Sequence, residues 1–189
     1  MLTSSPQLGP SPLWPIRRRA GPRTVKNGWL RGGNSGAYRS MVHAMTAGPS
    51  ALRVFHASLS ASYDPPSQGA LNVIDYREDC SRQGAGTSSG NVQATLLLEQ
   101  GARRYITVAS TLCTAAVWVS GNGFNSLRAT DFVQVDGPVC PPGASCPDFA
   151  ASAAPLRFGF TRQVALLAGQ PAGTVVHGVD NWKLTVWRG

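Results

Sequence analysis

Apolar and polar residues alternate in short runs along most of this chain, and an alternation of period two is typical of half-buried β-strands. In the run 37–45, one face carries Tyr38, Ser40, Val42 and Ala44. Eight further runs of this kind cover residues 51–60, 70–79, 91–99, 103–110, 115–120, 131–135, 155–162 and 182–187. The pattern therefore predicts about nine strands.

Turn-forming residues separate these strands, in the segments YDPPSQG, CSRQGAGTSSG, SGNGFNS, DGPVCPPGASCP and LAGQPAG. The stretch NSLRATDF (125–132) predicts one helical turn, capped by Asn125 or Ser126. Many short strands without internal repeats predict an all-β chain, a two-layer antiparallel β-sandwich of the jelly-roll, concanavalin-like or galactose-binding-like type. First and last strands that lie side by side would bring NGWLRGGN (27–34) close to GVDNW (178–182).

Composition agrees with this fold and suggests where the domain begins. Gly (21) and Pro (14) are frequent among the 189 residues and charged residues make up only 14%, whereas exposed helices need many Lys and Glu. One core is expected at this length. Residues 1–25 contain many prolines and arginines without apolar periodicity, so we expect a disordered basic tail there and a β-sandwich domain over 26–189.

The formal net charge of +8 belongs mainly to the N-terminal third of the chain. No Asp or Glu precedes Asp64, and eight of the 17 Lys and Arg residues do. From Asp64 onward the remaining nine basic residues balance the nine acidic ones. A basic tail can bind phosphate groups nonspecifically, but the balanced body predicts no specific nucleic-acid partner.

The chain lacks the pattern of an export signal. A secretory signal needs roughly 7 to 15 consecutive apolar residues and a membrane helix roughly 18, and neither run occurs. The paired arginines are followed by glycine, proline and polar residues. The sequence predicts no transmembrane segment, and either the chain stays inside the cell or its natural start lies upstream of Met1.

Four cysteines bear on the compartment. They form no Cys-x-x-Cys pair and the three histidines are scattered in the sequence, so a zinc site has little support. CPPGASC predicts a small loop closed by a disulfide between Cys140 and Cys146, which leaves Cys80 and Cys113 for a second bridge. Disulfides would favour an oxidising compartment; four unpaired thiols are the alternative.

Two stretches resemble catalytic motifs. GTSSG (86–90) matches the nucleophile elbow of hydrolases, but that elbow needs a strand before it and a helix after it, so Ser88 is interpreted as a loop serine. IDYRED carries Asp75, Glu78 and Asp79, and glycoside hydrolysis needs paired carboxylates. On a strand, Asp75 and Asp79 share one face with Arg77 while Glu78 points to the other face, which favours cross-strand ion pairs over catalysis.

Tryptophans and glycine-rich polar corners are the candidate binding groups. Alternation places Trp182 inward with Leu184 and Val186, and Trp187 outward with Lys183 and Thr185. Trp118 lies opposite its two valine neighbours, so Trp118 and Trp187 are the candidates for stacking on a sugar ring.

The pairs GGN (32–34) and DN (180–181) supply the oxygen ligands that calcium prefers. They predict a structural calcium ion with Asp180 and Asn34 as candidate ligands. The same residue types are also common in tight turns.

Several motifs together resemble a known group of modules. NGWLRGGNSGAYR is similar to the opening of laminin domain IV and related jelly-roll modules. YDPPSQGAL, IDYRED, LEQGARRY, the lone Trp118, PLRFGFTR and GVDNW resemble, in that order, bacterial exported proteins whose last strand begins Gly-Ile-Asp-Asn-Trp/Phe. The resemblance covers 26–189, with Ser35 in place of the usual proline. It implies a secreted or surface-exposed sandwich similar to carbohydrate-binding or adhesive domains, without an activity to carry over.

The sequence thus leads to one main expectation and two alternatives. The main one is an exported, non-enzymatic binding or adhesion module for carbohydrate or another surface ligand. The first alternative is a glycan-active hydrolase or lyase that uses Asp75, Glu78 or Asp79. The second is a purely structural module without a ligand.

Overall fold

The computed structural model describes residues 2–4, 16–17, 25–83, 91–135 and 146–189, and strands fill most of these ranges. In chain order the elements are β1 (Leu2–Ser4), β2 (Ile16–Arg17), β3 (Val25–Gly33), β4 (Gly36–Met45), β5 (Ser50–Tyr63), α1 (Pro65–Gln68), β6 (Leu71–Gln83), β7 (Val92–Gln100), β8 (Arg103–Thr107), β9 (Thr111–Cys113), β10 (Val119–Leu127), a 3₁₀ turn (Ala129–Asp131), β11 (Phe132–Gln134), β12 (Leu156–Leu166) and β13 (Gly173–Arg188).

The strands form two antiparallel sheets. Sheet 1 has six strands in the order β10-β6-β13-β4-β3, with β1 beside β13. Sheet 2 has seven strands in the order β11-β8-β7-β12-β5-β2, with β9 beside β7. The prediction of an all-β, two-layer antiparallel sandwich is confirmed, with thirteen strands among the described residues instead of about nine.

Apolar side chains from both sheets meet in the layer between them. The larger cluster joins residues of sheet 1, such as Tyr76 and Trp182, to residues of sheet 2, such as Leu98 and Phe160. A smaller cluster at the other end contains Val54 of sheet 2. Burial of this apolar surface is the main stabilising contribution.

The last strand begins earlier than the sequence predicts. β13 starts at Gly173, so GVDNW lies inside a 16-residue strand and not at the turn into it. Its register with β6 shifts between Asp180 and Lys183, and Asn181 has a left-handed φ of 47°. These features define a β-bulge, which is what the Asp-Asn pair forms in place of a turn.

A second correction concerns residues 119–131. SGNGFNS, predicted as a turn, is part of the bulged edge strand β10. Gly123 is required there because a Cβ atom would lie 1.9 Å from the carbonyl oxygen of Tyr76 on β6. The helical turn begins after Arg128, whose backbone N–H donates to Asp131 Oδ2 at 2.7 Å. The predicted caps Asn125 and Ser126 therefore belong to β10.

Candidate functional site

Two neighbouring strands at the middle of sheet 1, β6 and β13, place polar side chains on its outer face. On β6 the buried Tyr76 and Glu78 point inward, so that Asp75 and Arg77 point outward. On β13 the buried residues alternate with Lys183 and Trp187. The pairing register sets Lys183 opposite Arg77 and Thr185 opposite Asp75.

We call the surface formed by Asp75, Arg77, Asn125, Lys183 and Trp187 the Trp187 face. Trp187 is half-buried, and its Nε1 donates to Asp75 Oδ2 at 2.8 Å. The other carboxylate oxygen, Oδ1, accepts the backbone N–H of Ser126 at 2.7 Å. This network fixes the indole ring on a solvent-facing sheet surface, in the outward orientation that alternation predicts.

Two cations and an amide extend this surface beyond the ring. Arg77 donates through Nη1 to Tyr76 O at 3.1 Å and through Nη2 to Asn125 Oδ1. Lys183 and Asn125 are exposed. Alternation along each strand could predict that these side chains point outward. The pairing of β6 with β13, which makes them neighbours, could not be read from the sequence.

Trp118 occupies a different environment. Its Nε1 donates to the carbonyl oxygen of Gly32 at 3.2 Å, and its ring packs edge-on against Tyr38 with centroids 5.1 Å apart. A Cβ atom at Gly178 would lie 2.8 Å from Trp118 and 2.7 Å from Tyr38. The Trp118 ring therefore packs over Gly178 of β13 and helps to close a corner of the fold.

The GVDNW bulge meets the β3–β4 turn at the same corner, so the predicted proximity of the GGN and GVDNW segments is observed. Asp180 Oδ2 accepts the backbone N–H of Ser35 at 3.1 Å, and Oδ1 accepts that of Asn181 at 2.8 Å. Asp79 Oδ2 accepts from Asn34 Nδ2 at 2.6 Å and from Asn181 Nδ2 at 2.7 Å. The corner is a network of carboxylates held by neutral donors.

These contacts bear on the predicted calcium ion. All four carboxylate oxygens of Asp79 and Asp180 accept protein hydrogen bonds, and Asn34 presents its amide nitrogen to Asp79. In the part of the chain that the structure describes, no cluster of three His, Cys, Asp or Glu residues could hold a metal ion. The corner is therefore held together by hydrogen bonds, and calcium stays a prediction.

The electrostatics of Asp79 follow from this network. Burial raises the pKa of its carboxyl group, but hydrogen bonds from Asn181, Asn34 and the Gly121 backbone outweigh burial and leave the pKa below its usual value. Asp79 is therefore held as a carboxylate.

The three acids of IDYRED do not converge. Asp75 lies on the Trp187 face, Asp79 lies in the corner, and Glu78 is fully buried between the sheets. Glu78 Oε2 accepts from Arg162 Nη2 at 2.6 Å and from the hydroxyl of Tyr76. The predicted opposite orientation of Glu78 is observed, and its ion pair crosses between sheets. The geometry gives no support to the hydrolase alternative, which needs two carboxylates facing one open space.

Glu78 belongs to a buried polar cluster between the two sheets, which we call the inner polar layer. Its members come from both sheets: Arg39, His43, His56, Tyr76, Glu78, Arg162 and His177. The rings of His43 and His177 meet edge-on with centroids 4.7 Å apart, and Arg39 Nη2 donates to His56 Nδ1 at 3.3 Å. The histidines that are scattered in the sequence thus meet in the core.

Burial and like charge keep these histidines neutral. Desolvation, and then the nearby Arg162 charge, lower the pKa of His43 to about 4. Desolvation also lowers the pKa values of His56 and His177 well below the usual range, with Arg39 and His43 respectively as the next largest causes. Burial lowers the pKa of Arg162, but Glu78 more than restores it. The layer therefore contains neutral imidazoles beside a charged pair.

One disulfide joins the two sheets. Cys80 on β6 is bonded to Cys113 on β9 across 33 positions, which is the pair that the sequence left for a second bridge. Cys146 is also in a disulfide. Cys140, its predicted partner, and Ser88 of GTSSG both lie outside the described residues.

Two cavities lie away from the Trp187 face. One of about 680 Å³ lies at the end of the sandwich and is lined by Arg103, Asp148 and buried Phe149. A smaller one of about 240 Å³ lies on the outer face of sheet 2 beside Gln93 and Gln163. Neither contains a predicted site residue other than Cys146. No helix among the described residues is long and apolar enough to cross a membrane.

Comparison with known proteins adds little to this geometry. No profile of a protein family matches the chain, and no curated protein matches it. A solved structure similar to the chain is described as giving the structural basis for the promiscuous specificity of carbohydrate-binding modules from the β-sandwich superfamily. The match has 8% identity and a TM-score of 0.43, and covers 91% of this chain but 56% of that one.

The chain thus spans about half the length of that solved chain. The assignment of the fold rests on the strand pairings described above, and the resemblance to laminin domain IV stays a prediction.

Proposed function

We propose that this chain is an exported, non-enzymatic module that binds carbohydrate on the Trp187 face of sheet 1. The observation that carries the proposal is the half-buried indole of Trp187, held in place by Asp75 on an open strand surface. A fixed aromatic ring is a good platform for a sugar ring, because stacking then costs little side-chain entropy.

Groups around the ring supply the directional contacts that a glycan needs. Arg77, Asn125 and Lys183 stand on three adjacent strands, and they offer hydrogen-bond donors and an amide to hydroxyl groups. Because side chains on one sheet face lie on a flat surface, the site suits an extended chain better than a compact ligand. Trp118 is the weaker candidate, since its ring packs against the corner and its N–H is used there.

The location in an oxidising compartment is supported by the disulfide between Cys80 and Cys113, which joins the sheets. Stable disulfides form mainly in secreted and surface proteins. Export is therefore part of the proposal.

Glycan binding can be measured with a panel of plant, microbial and host polysaccharides. Trp187→Ala should weaken binding by about tenfold or more, since truncation of an aromatic anchor commonly costs that much. Trp187→Phe keeps a ring but loses the bond to Asp75, so it should fall between the parent protein and the alanine variant.

Leu167→Ala is the control, because Leu167 is an exposed apolar residue, 71% accessible, in the turn between β12 and β13, at the opposite end of β13 from Trp187. Circular dichroism would verify that each variant is folded. Clean negatives across the panel would favour the purely structural alternative. Binding that Trp187→Ala leaves unchanged would refute the Trp187 face as the binding site.

A further inference from the structure

The Trp187 face contains an unusual pair of like charges. Arg77 and Lys183 are register partners on neighbouring antiparallel strands, and both point to the outer face. Side chains in such positions start only about 5 Å apart at their Cβ atoms. In the described part of the chain, neither residue forms an ion pair with a carboxylate.

The two acids that flank Arg77 on β6, Asp75 and Asp79, make their direct contacts with neutral groups and not with these cations. Both oxygens of Asp75 accept from neutral groups, the indole N–H of Trp187 and the backbone N–H of Ser126. Asp79 likewise accepts from neutral donors at the corner. The guanidinium of Arg77 is held by neutral oxygens, the backbone carbonyl of Tyr76 and an amide.

Like charges opposite each other in a sheet are destabilising. An anion bound between the two cations would remove that repulsion and gain charge-assisted hydrogen bonds. From these positions we infer that the Trp187 face binds an anionic oligosaccharide, one whose carboxylate or sulfate groups reach Arg77 and Lys183 while a ring stacks on Trp187. The inference rests on the proposed function and specifies its ligand class.

The spacing also sets a minimum ligand size. Lys183 and Trp187 are four positions apart on β13, which corresponds to roughly 14 Å along an antiparallel strand. This backbone spacing is longer than one sugar ring, so the face suits a ligand of several rings. Affinity should rise from the monosaccharide until both residues are covered.

Two matched glycan pairs test the inference with the full chain at physiological salt. Oligogalacturonides are compared with their methyl esters, and sulfated carrageenan oligosaccharides with their desulfated forms. The inference expects the charged member of at least one pair to bind about tenfold more tightly than its neutral counterpart. Which pair shows the preference distinguishes carboxylate from sulfate.

Lys183→Met removes one cation of the face and should weaken binding of the preferred anion about tenfold. Arg157→Gln is the control, because it makes the same change in net charge on sheet 2, where Arg157 pairs with Glu99. Arg157→Gln should leave binding unchanged. The basic N-terminal residues attract any polyanion nonspecifically, but they are the same in both variants, so this attraction cancels in the comparison.

Equal binding of charged and neutral forms, or equal losses in Lys183→Met and Arg157→Gln, would overturn the inference. If neutral glycans bind and this binding is weakened by Trp187→Ala, the proposed function still holds although the inference fails. If Trp187→Ala changes nothing, the proposed function itself fails.

Discussion

The two faces of sheet 1 carry polar clusters that share strands β6 and β13, yet the clusters have opposite properties. On the outer face, Asp75 and Arg77 of β6 surround a half-buried tryptophan in contact with solvent. On the inner face, Glu78 is fully buried and paired with Arg162. Neighbouring residues of one strand thus point to different environments: one to a surface that can bind a ligand, the next to a core that is closed to ligands.

Burial changes what each polar group contributes. Both ring nitrogens of His43 and of His177 lack a hydrogen-bond partner among the described residues, and buried polar groups of this kind reduce stability. The outer cluster avoids this cost because water reaches it. The inner polar layer should therefore control stability, and the Trp187 face should control binding.

The largest test of this contrast is the removal of one partner of the buried ion pair. Arg162→Met leaves the Glu78 carboxylate without its charged partner in the core, which should cost about 3 to 5 kcal/mol in the free energy of unfolding. Chemical denaturation measures this cost. Arg157→Met is the control, because its surface pair with Glu99 is worth roughly 1 kcal/mol or less.

A double variant keeps this test decisive if Arg162→Met fails to fold. Glu78→Gln combined with Arg162→Met removes both charges and should recover part of the lost stability. A loss in Arg162→Met no greater than that of Arg157→Met would show that the inner polar layer does not control stability.

Acid should destabilise the inner polar layer. The pKa of His43 falls from 6.5 in the unfolded chain to about 4 in the folded protein, so the unfolded chain binds more protons in that window. Stability is therefore complete above about pH 6.5 and falls as the pH drops toward 4. His43 alone contributes about 3 kcal/mol of this loss, and His56 and His177, whose pKa values are also lowered, add to it.

Unfolding by urea at several pH values between 7 and 4 measures this dependence. His43→Gln removes one titrating group, so the dependence of stability on pH should become less steep whatever its effect at pH 7. A stability that is constant down to pH 4 would contradict the buried, neutral state of the three histidines.

The smallest effect on stability is expected on the Trp187 face. Asp75→Asn retains the size of the side chain but leaves one acceptor oxygen for two N–H donors, those of Trp187 and Ser126. Because both donors lie near solvent, stability should change by less than about 1 kcal/mol. Affinity for a neutral glycan should fall severalfold, because Trp187 is then held less firmly. Binding measured beside the melting temperature separates the two effects, with Glu99→Gln as the charge-matched control; a large drop in stability would contradict the contrast between the faces.

Alternation along single strands predicts much of this arrangement. It places Trp182 in the core, Trp187 on the surface and Glu78 opposite to Asp75, because the direction of a side chain depends only on its position within a strand. It also predicts the sandwich, since the number of strands and turns is a local property of the sequence.

Long-range pairing accounts for what the sequence does not predict. Lys183 and Arg77 become neighbours only because β13 lies beside β6. The three histidines meet only because β4 pairs with β13 in sheet 1 and β5 of sheet 2 faces them across the core. The bulge at GVDNW is not predicted either. Local preferences of Gly, Asp and Asn fit a turn or a bulge equally well, and the pairing on both sides of β13 selects the bulge.

The packing of Trp118 over Gly178 affects how the GVDNW motif should be used to search for related proteins. The glycine of the motif is required by an aromatic side chain sixty positions earlier in the chain, whose ring leaves no room for a Cβ atom. The acid and the amide that follow are committed to the β3–β4 turn. A chain that shares the motif and an equivalent of Trp118 shares the corner, while its ligand has to be read from the residues at the positions of Arg77, Lys183 and Trp187.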